Sequence, residues 1–381
     1  MYVNVIAKIV LYLLRERTRI SSSQMSEKPV KKITVKDIAA EAGVSIGTVD
    51  RVLHNRSEVK DETRKKVLAI VKELEYTPNI LAKSLAKRKQ TNIAIVIPDS
   101  SDNNPYWEIP IQGIKLAAEK LQSYNTEVNY AFFDASSEES FKEVLMKVYM
   151  LNPDGIVLNP VFKSTTLEFI KNFKKRNIPY VFIDVNLKGV DKLGYFGQDA
   201  EQSGMVAARL MSNLPNNSEI LILKQTKRKV FSQHIESRIS GFQKFLDKEA
   251  AAKNFNTLTA EIDLLEIYEP NITMNNLLTQ HKNISGIFVP NSRAFKLSDF
   301  LLTTLDFRPL IVGYDLVQGN VKLMEEGLIS YLISQKPEVQ AYNAIFGLFD
   351  HLMTRNTLNK TNYSPIDIII KENLEYYKKT N

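Results

Sequence analysis

The sequence predicts a small all-α head followed by a larger α/β body. Three observations predict it. Apolar residues recur at helical spacing between residues 34 and 75, whereas from Asn92 onward short β-branched runs alternate with helical stripes. Positive charge is concentrated early: residues 25–90 sum to +6 and residues 91–381 to −2, in a chain of net charge +7. A length of 381 residues, 44% of them apolar, suffices for two or three units that each bury a core. The absence of Cys excludes disulfide scaffolds, thiolate metal sites, iron–sulfur clusters and thiol catalysis.

Residues 1–30 read as an N-terminal extension. Val3 to Leu14 is apolar but contains Lys8, and it is far shorter than the roughly 18–20 residues of a membrane span. It lacks the basic lead and small-residue cleavage site of a secretory leader. Met25, just ahead of the first patterned segment, is the expected start of translation. A cytoplasmic chain without membrane association is expected.

The head, residues 31–77, divides into three short helices. Thr34 followed by Asp37 is a capping signature, and Val35, Ile38, Ala39 and Ala42 form one buried stripe behind it. Gly43 supplies the left-handed conformation that ends this helix in a tight turn. Ser45 caps a second helix with Val49, Val52 and Leu53 inward; a third runs over residues 61–75 on Val67, Ile70, Val71 and Leu74. Two helices joined by a four-residue turn make a helix-turn-helix unit. A plain three-helix bundle has the same stripes. The outward face of the second helix argues against it, because Ser45, Ile46, Gly47, Asp50 and Arg51 are left exposed there. Such a face offers one Arg for a bidentate contact to guanine and one aliphatic side chain for a thymine methyl.

In the body, strands are expected from Ile93, Val128, Gly155, Tyr180, Glu219, Gly286 and Pro309, with later ones ending at Gln335 and spanning Ile366–Ile370. Apolar runs with helices between them indicate parallel sheet covered on both faces. There is no G-x-G-x-x-G, no phosphate-binding G-x-x-x-x-G-K-[ST] and no H-E-x-x-H, and His54, His234, His281 and His351 are scattered without ligand spacing. No catalytic residue, metal or cofactor is expected. Polar and aromatic residues do collect at the carboxyl ends of strands, where open α/β sheets bind ligands. They are Asn104, Tyr106 and Trp107; Asp184 and Asn186; Asn291; Asp315; and Gln335, with Arg238 on a helix. Aromatic plates with amides, carboxylates and a guanidinium suit a hydroxyl-rich ligand. Singly, the aromatics also suit a core and the Asp and Asn residues suit helix caps.

The run ITVKDIAAEAGVSIGTVDRVLHNR, with TRKKVLAIVKELEYTPNILAKSLA after it, resembles the DNA-binding region of lac repressor family regulators over residues 33–86. The resemblance implies that Ser45, Ile46, Gly47, Thr48, Asp50 and Arg51 lie in or beside the major groove of double-stranded operator DNA, with Asn55 near its phosphates and Thr34 also a DNA-binding residue. It implies that residues 78–90 form a hinge helix and linker, contacting DNA through Asn79, Ala82, Lys83 and the minor-groove wedge Leu85. Asp50 stands where the family usually has Ser, and Lys60 replaces the usual Ser cap of the third helix.

The body resembles the effector domain of the same family, itself similar to periplasmic sugar-binding proteins of the ribose-binding type. NNPYW, ID with Asn186, SRISGF, PNS, GYD and SQKP match the ligand-contact segments in order. This implies Asn104, Tyr106, Trp107, Asp184, Asn186, Arg238, Asn291, Asp315 and Gln335 as pocket residues for a sugar-like effector, while Gln198 and Asp199 depart from the family pattern. Two Rossmann-like lobes are implied within residues 91–381, one over about 91–196 and 337–360, the other over about 197–334 and 361–372. The short tail KENLEYYKKTN has no heptad, so a homodimer is expected. The resulting expectation is an effector-controlled repressor that is not an enzyme. The alternative is a solute-binding protein for sugar transport or sensing, which residues 33–86 and the missing leader oppose.

Overall fold

Helix α1, Val35–Ala42, begins at a capping box. The Thr34 side chain accepts from the Asp37 amide, and the Asp37 carboxylate accepts from the Thr34 amide at 2.8 Å. It ends where Gly43 turns left-handed at φ 66°. Helices α2, Ile46–Leu53, and α3, Asp61–Glu73, follow after short turns. Ile38, Ala39, Ala42, Val49, Val52, Val67 and Ile70 close into one small core. Lys60 precedes α3 without a side-chain cap, so Asp61 and Glu62 in its first turn meet the helix dipole instead. The structure, a computed structural model, describes residues 33–53, 59–74, 76, 90–100, 105–226, 233–263, 280–281, 283–298 and 308–378. It separates into two units, residues 1–78 and 79–381.

The second unit contains two sheets with the same strand order. In the first, β1 (Thr91–Pro98), β2 (Thr126–Phe133), β3 (Gly155–Leu158), β4 (Tyr180–Ile183) and β5 (Gly194–Gly197) lie in the order β5-β4-β3-β1-β2, all parallel. In the second, β6 (Glu219–Thr226), β7 (Asn256–Asp263), β8 (Ile284–Phe288), β9 (Leu310–Tyr314) and β10 (Tyr331–Ser334) repeat that arrangement as β10-β9-β8-β6-β7. The short strands β11 (Asn362–Tyr363) and β12 (Asp367–Ile369) extend the first and second sheets, β12 running antiparallel. Because β11 pairs with β5, the first lobe runs past the expected boundary near residue 361.

Alternation along each strand fills both faces. Ile93, Ile95, Ile97, Val157 and Val181 pack under α4 (Glu108–Gln122) and α10 (Pro337–Thr354). Ala94, Val96, Ile156, Leu158 and Phe182 pack under α5 (Glu138–Leu151) and α6 (Lys163–Lys175). The second sheet is covered by α7 (Ala200–Met211) and α8 (Gln233–Glu249) on one face, and by α9 (Gln318–Glu325) and α11 (Leu374–Lys378) on the other. Each fully buried aliphatic side chain contributes roughly 1.5–3 kcal/mol. No described helix is long and apolar enough to cross a membrane.

The chain passes between the sheets three times: after β5, after β10 and after β11. Gln198, on the first passage, donates from Nε2 to the Ser334 carbonyl at 3.1 Å and the Pro365 carbonyl at 3.2 Å. One buried amide therefore ties all three connections together.

Candidate functional site

Helix α2 turns a polar face outward. Ser45, Ile46, Gly47 and Arg51 are exposed on α2, with Thr48 and Asp50 half-buried. Ile46 is 49% exposed, comparable with Leu68 of α3 at 47%. Ser45 accepts from the Thr48 amide at 3.1 Å and so caps α2 as the sequence predicts. A Cβ on Gly47 would meet nothing closer than the Ser45 hydroxyl at 3.7 Å. A helical Gly costs roughly 0.5–1 kcal/mol relative to Ala, so packing within the chain does not call for it, whereas close approach of a partner would. Thr34 is engaged in the cap of α1. Asn55, Asn79, Ala82, Lys83 and Leu85 lie outside the described residues, as does the expected hinge helix.

In the second unit, a cavity of about 270 Å³ lies where Asp184, Asn186 and Lys188 of the first lobe face Gln233, His234 and Ser237 of the second. Asp184 and Asp315 follow β4 and β9, the matching fourth strands of the two sheets, and both adopt left-handed φ, 65° and 63°. Asp184 accepts from the Tyr106 hydroxyl at 3.0 Å and the Asn159 amide at 3.1 Å. Asp315 accepts from Gln335 Nε2 at 2.8 Å, and the Gln335 carbonyl accepts from Gln340 at 2.7 Å. Asn320 brackets the base of this loop by donating to the Tyr314 and Asp315 carbonyls.

Arg238 is the counter-charge shared by this cluster. It is only 2% exposed; its Cζ lies 3.8 Å from the Tyr314 ring centre, and it donates to the Pro290 carbonyl at 2.9 Å. Burial raises the pKa of Asp315 to about 7, against the pull of Arg238 and the Gln335 hydrogen bond. Burial also raises Asp184, opposed by Arg238, Tyr106 and Asn159. Two carboxylates facing one guanidinium in a dry site form a strongly coupled set.

Of the residues predicted for the pocket, Tyr106, Asp184, Arg238, Asp315 and Gln335 are brought into this one cluster, and Asn186 lines the cavity with a buried, unpartnered Oδ1. Asn291 is buried and accepts from the Arg293 amide at 3.0 Å. Trp107 packs in the apolar core of the first lobe, edge-on to Tyr106 at 5.4 Å. Asn104 lies outside the described residues. Asn159 and His234 were not singled out as pocket residues, yet they stand in or beside the cluster, as does Gln198, a weaker expectation. His234, which reads as a scattered histidine, lies in the cavity wall. Unpartnered buried atoms gather here too: Asn159 Oδ1, Asn186 Oδ1, Gln198 Oε1 and Arg238 Nε. Buried polar atoms are rarely left unsatisfied, so their concentration sets this cluster apart from an ordinary apolar interior.

Known proteins divide in the same way. The family model for bacterial regulatory proteins of the lacI family matches residues 34–79, and that for the periplasmic binding protein domain matches residues 93–355. The chain is similar to the HTH-type transcriptional regulator RegA of Clostridium saccharobutylicum, 34% identical over 324 residues that cover 77% of this chain and 93% of that protein. It is similar to catabolite control protein A of Streptococcus mutans, 29% identical over 216 residues, 52% of this chain and 61% of that protein. The chain thus spans less than two thirds of the length of several curated relatives. A solved structure from Bacteroides fragilis, described as a LacI transcriptional regulator, has 30% identity and a TM-score of 0.69, covering 76% of this chain and 100% of that one. With both units matched in order, the chain belongs to the lacI family of bacterial regulatory proteins.

Proposed function

We propose that this protein is a sequence-specific DNA-binding repressor of transcription whose operator affinity is set by a small sugar or sugar derivative. The observation that carries the reading is one chain joining an exposed helix face, Ser45 to Arg51, to an interlobe cleft rich in buried, unsatisfied polar atoms. The head reads base edges through Arg51 and Ile46, with Asn55 on phosphate and the hinge residues Asn79, Ala82, Lys83 and Leu85 on the minor groove. The effector lies between Asp184 and Asn186 on one lobe and Arg238, Asp315 and Gln335 on the other, so that its binding favours one lobe arrangement. The protein acts in the cytoplasm and is not an enzyme. A transport solute-binding protein has no use for the head.

It works as a homodimer on a pseudo-palindromic site. Support comes from the outer strand β2, where Tyr130 and Phe132 are 39% and 44% exposed and stack at 5.8 Å. An uncovered apolar edge strand is normally shielded, and a second copy shields it by isologous contact. Selection of bound fragments from sheared genomic DNA by the full-length protein tests the DNA reading. Enrichment of fragments sharing one pseudo-palindrome is expected; recovery no different from random fragments would refute it.

A further inference from the structure

The two lobes hold their cleft aspartates in the same way. Asp184 follows β4 and is sewn to the next strand, β5. Its amide donates to the Phe196 carbonyl at 3.0 Å, and its carbonyl accepts from the Tyr195 hydroxyl at 3.0 Å. Asp315 follows β9 and is sewn to β10 and the residue after it. Its amide donates to the Ile333 carbonyl at 3.0 Å, and its carboxylate accepts from Gln335 Nε2 at 2.8 Å. Strands β5 and β10 are the ones that leave their lobes as the first and second passages. Each aspartate is therefore one hydrogen bond from a segment that crosses to the other lobe.

Tyr195 carries the link onward. Its hydroxyl also lies 3.2 Å from the Gln198 carbonyl, so one proton serves two acceptors, one on the Asp184 loop and one on the first passage. Burial raises the pKa of this hydroxyl and so keeps the proton on it. The close fit depends on Gly197, where a Cβ would fall 1.9 Å from the Tyr195 oxygen. Gln198 then joins the passages. It is 4% exposed, and Nε2 is held by the Ser334 and Pro365 carbonyls, so the amide cannot flip without losing both bonds. The Ser364 amide adds a bond to the Gly197 carbonyl at 2.7 Å. An unbroken path thus runs from Asp184 through Tyr195 and Gln198 to Ser334, the neighbour of the Gln335 that holds Asp315. Hydrogen-bond networks carry coupling where they have two discrete arrangements, and one proton between two carbonyls supplies them.

We propose that Tyr195 and Gln198 are the positioning residues that transmit occupancy of the cleft to the arrangement of the lobes, the Tyr195 hydroxyl turning between the Asp184 and Gln198 carbonyls as the Asp184 loop shifts. This inference rests on the cleft being the effector pocket.

The test uses the full-length protein and five sugar probes: ribose, glucose, galactose and the 6-phosphates of the two hexoses. The probe that binds most tightly by titration calorimetry is carried forward. Affinity for the selected DNA site is then measured without that probe and at a concentration that saturates each variant, so that any loss of probe affinity drops out of the comparison. Wild type is expected to shift within the roughly 5–150-fold range of allosteric coupling, and Tyr195→Phe and Gln198→Leu to shift by less than about twofold. Leu145→Ala, which opens the α5 core of the first lobe away from this path, should lower the melting temperature and keep the wild-type shift. Either path variant keeping the wild-type shift while folded and saturated would overturn the inference and leave the cleft reading intact. So would an equal loss of the shift in Leu145→Ala, since lowered stability alone would then explain it. A wild type that binds none of the probes, or binds one without any shift, would overturn the cleft reading itself.

Discussion

Arg51 and Asp315 carry the two halves of the account at the residue scale. Arg51 is exposed on α2, clear of the head core. Arg51→Ala should weaken specific DNA binding by about 1–3 kcal/mol and leave binding to random DNA nearly unchanged, as a competition titration would read. Equal losses on both would reduce Arg51 to a phosphate contact. Asp315 is 1% exposed and bonded to Gln335, so Asp315→Ala should weaken the effector by about 2 kcal/mol or more while effector-free DNA binding stays near normal. The same residue predicts a pH effect. Its folded pKa of about 7 lies above the ordinary carboxylate value of 3.8, so the native state retains a proton that the unfolded chain releases between those values. Wild type should therefore lose melting temperature relative to Asp315→Asn as the pH rises from 4 through 7; parallel curves would contradict the buried assignment. Asp315, Asp184 and Arg238 were legible in the sequence because they follow strands or lie on a helix in recognisable segments, although α8 begins at Gln233, before Arg238. Asn159 and His234 were not, because their places in the site arise only when separate segments meet.

The α7–α8 pair, which carries Arg238, is closely packed. A Cβ on Gly204 would fall 1.9 Å from the Arg238 carbonyl, and one on Gly241 would fall 1.9 Å from the Glu201 carbonyl. The two glycines let the helices cross with their backbones in contact and thereby set where Arg238 emerges. Gly241→Ala should cost about 1–3 kcal/mol, or more if the backbone cannot shift, and should weaken effector binding through Arg238. An unchanged melting curve would show that the crossing is looser than the geometry implies. The helical stripes and the central strands were legible because apolar alternation repeats over several residues in each. Strand β5, Gly194–Gly197, was not, since four residues flanked by Gly resemble a turn. Nor was β7, an edge strand whose Asn256–Asp263 run NTLTAEID is too polar to stand out as sheet. The tie made by Gln198 was hidden as well, since it joins residues 136 and 167 positions away.

At the scale of the whole molecule, two lobes built on one strand order are joined by three tied passages, and the proposed effector control requires that they adopt more than one arrangement. In the proposed dimer the exposed Tyr130 and Phe132 form the contact, so Tyr130→Lys with Phe132→Lys should yield monomers by light scattering at micromolar concentration. A persistent dimer would place the contact elsewhere. The central claim is that occupancy of the cleft and affinity for DNA are coupled. A typical coupling of about 1–3 kcal/mol changes affinity roughly 5–150-fold. The most direct measurement is a fluorescence anisotropy titration of the selected DNA site with full-length protein, in the absence and in the saturating presence of the best-binding sugar probe. The account predicts a shift in Kd within that range that is lost in Asp315→Ala. Superimposable titrations with and without a probe shown by calorimetry to be bound would contradict it.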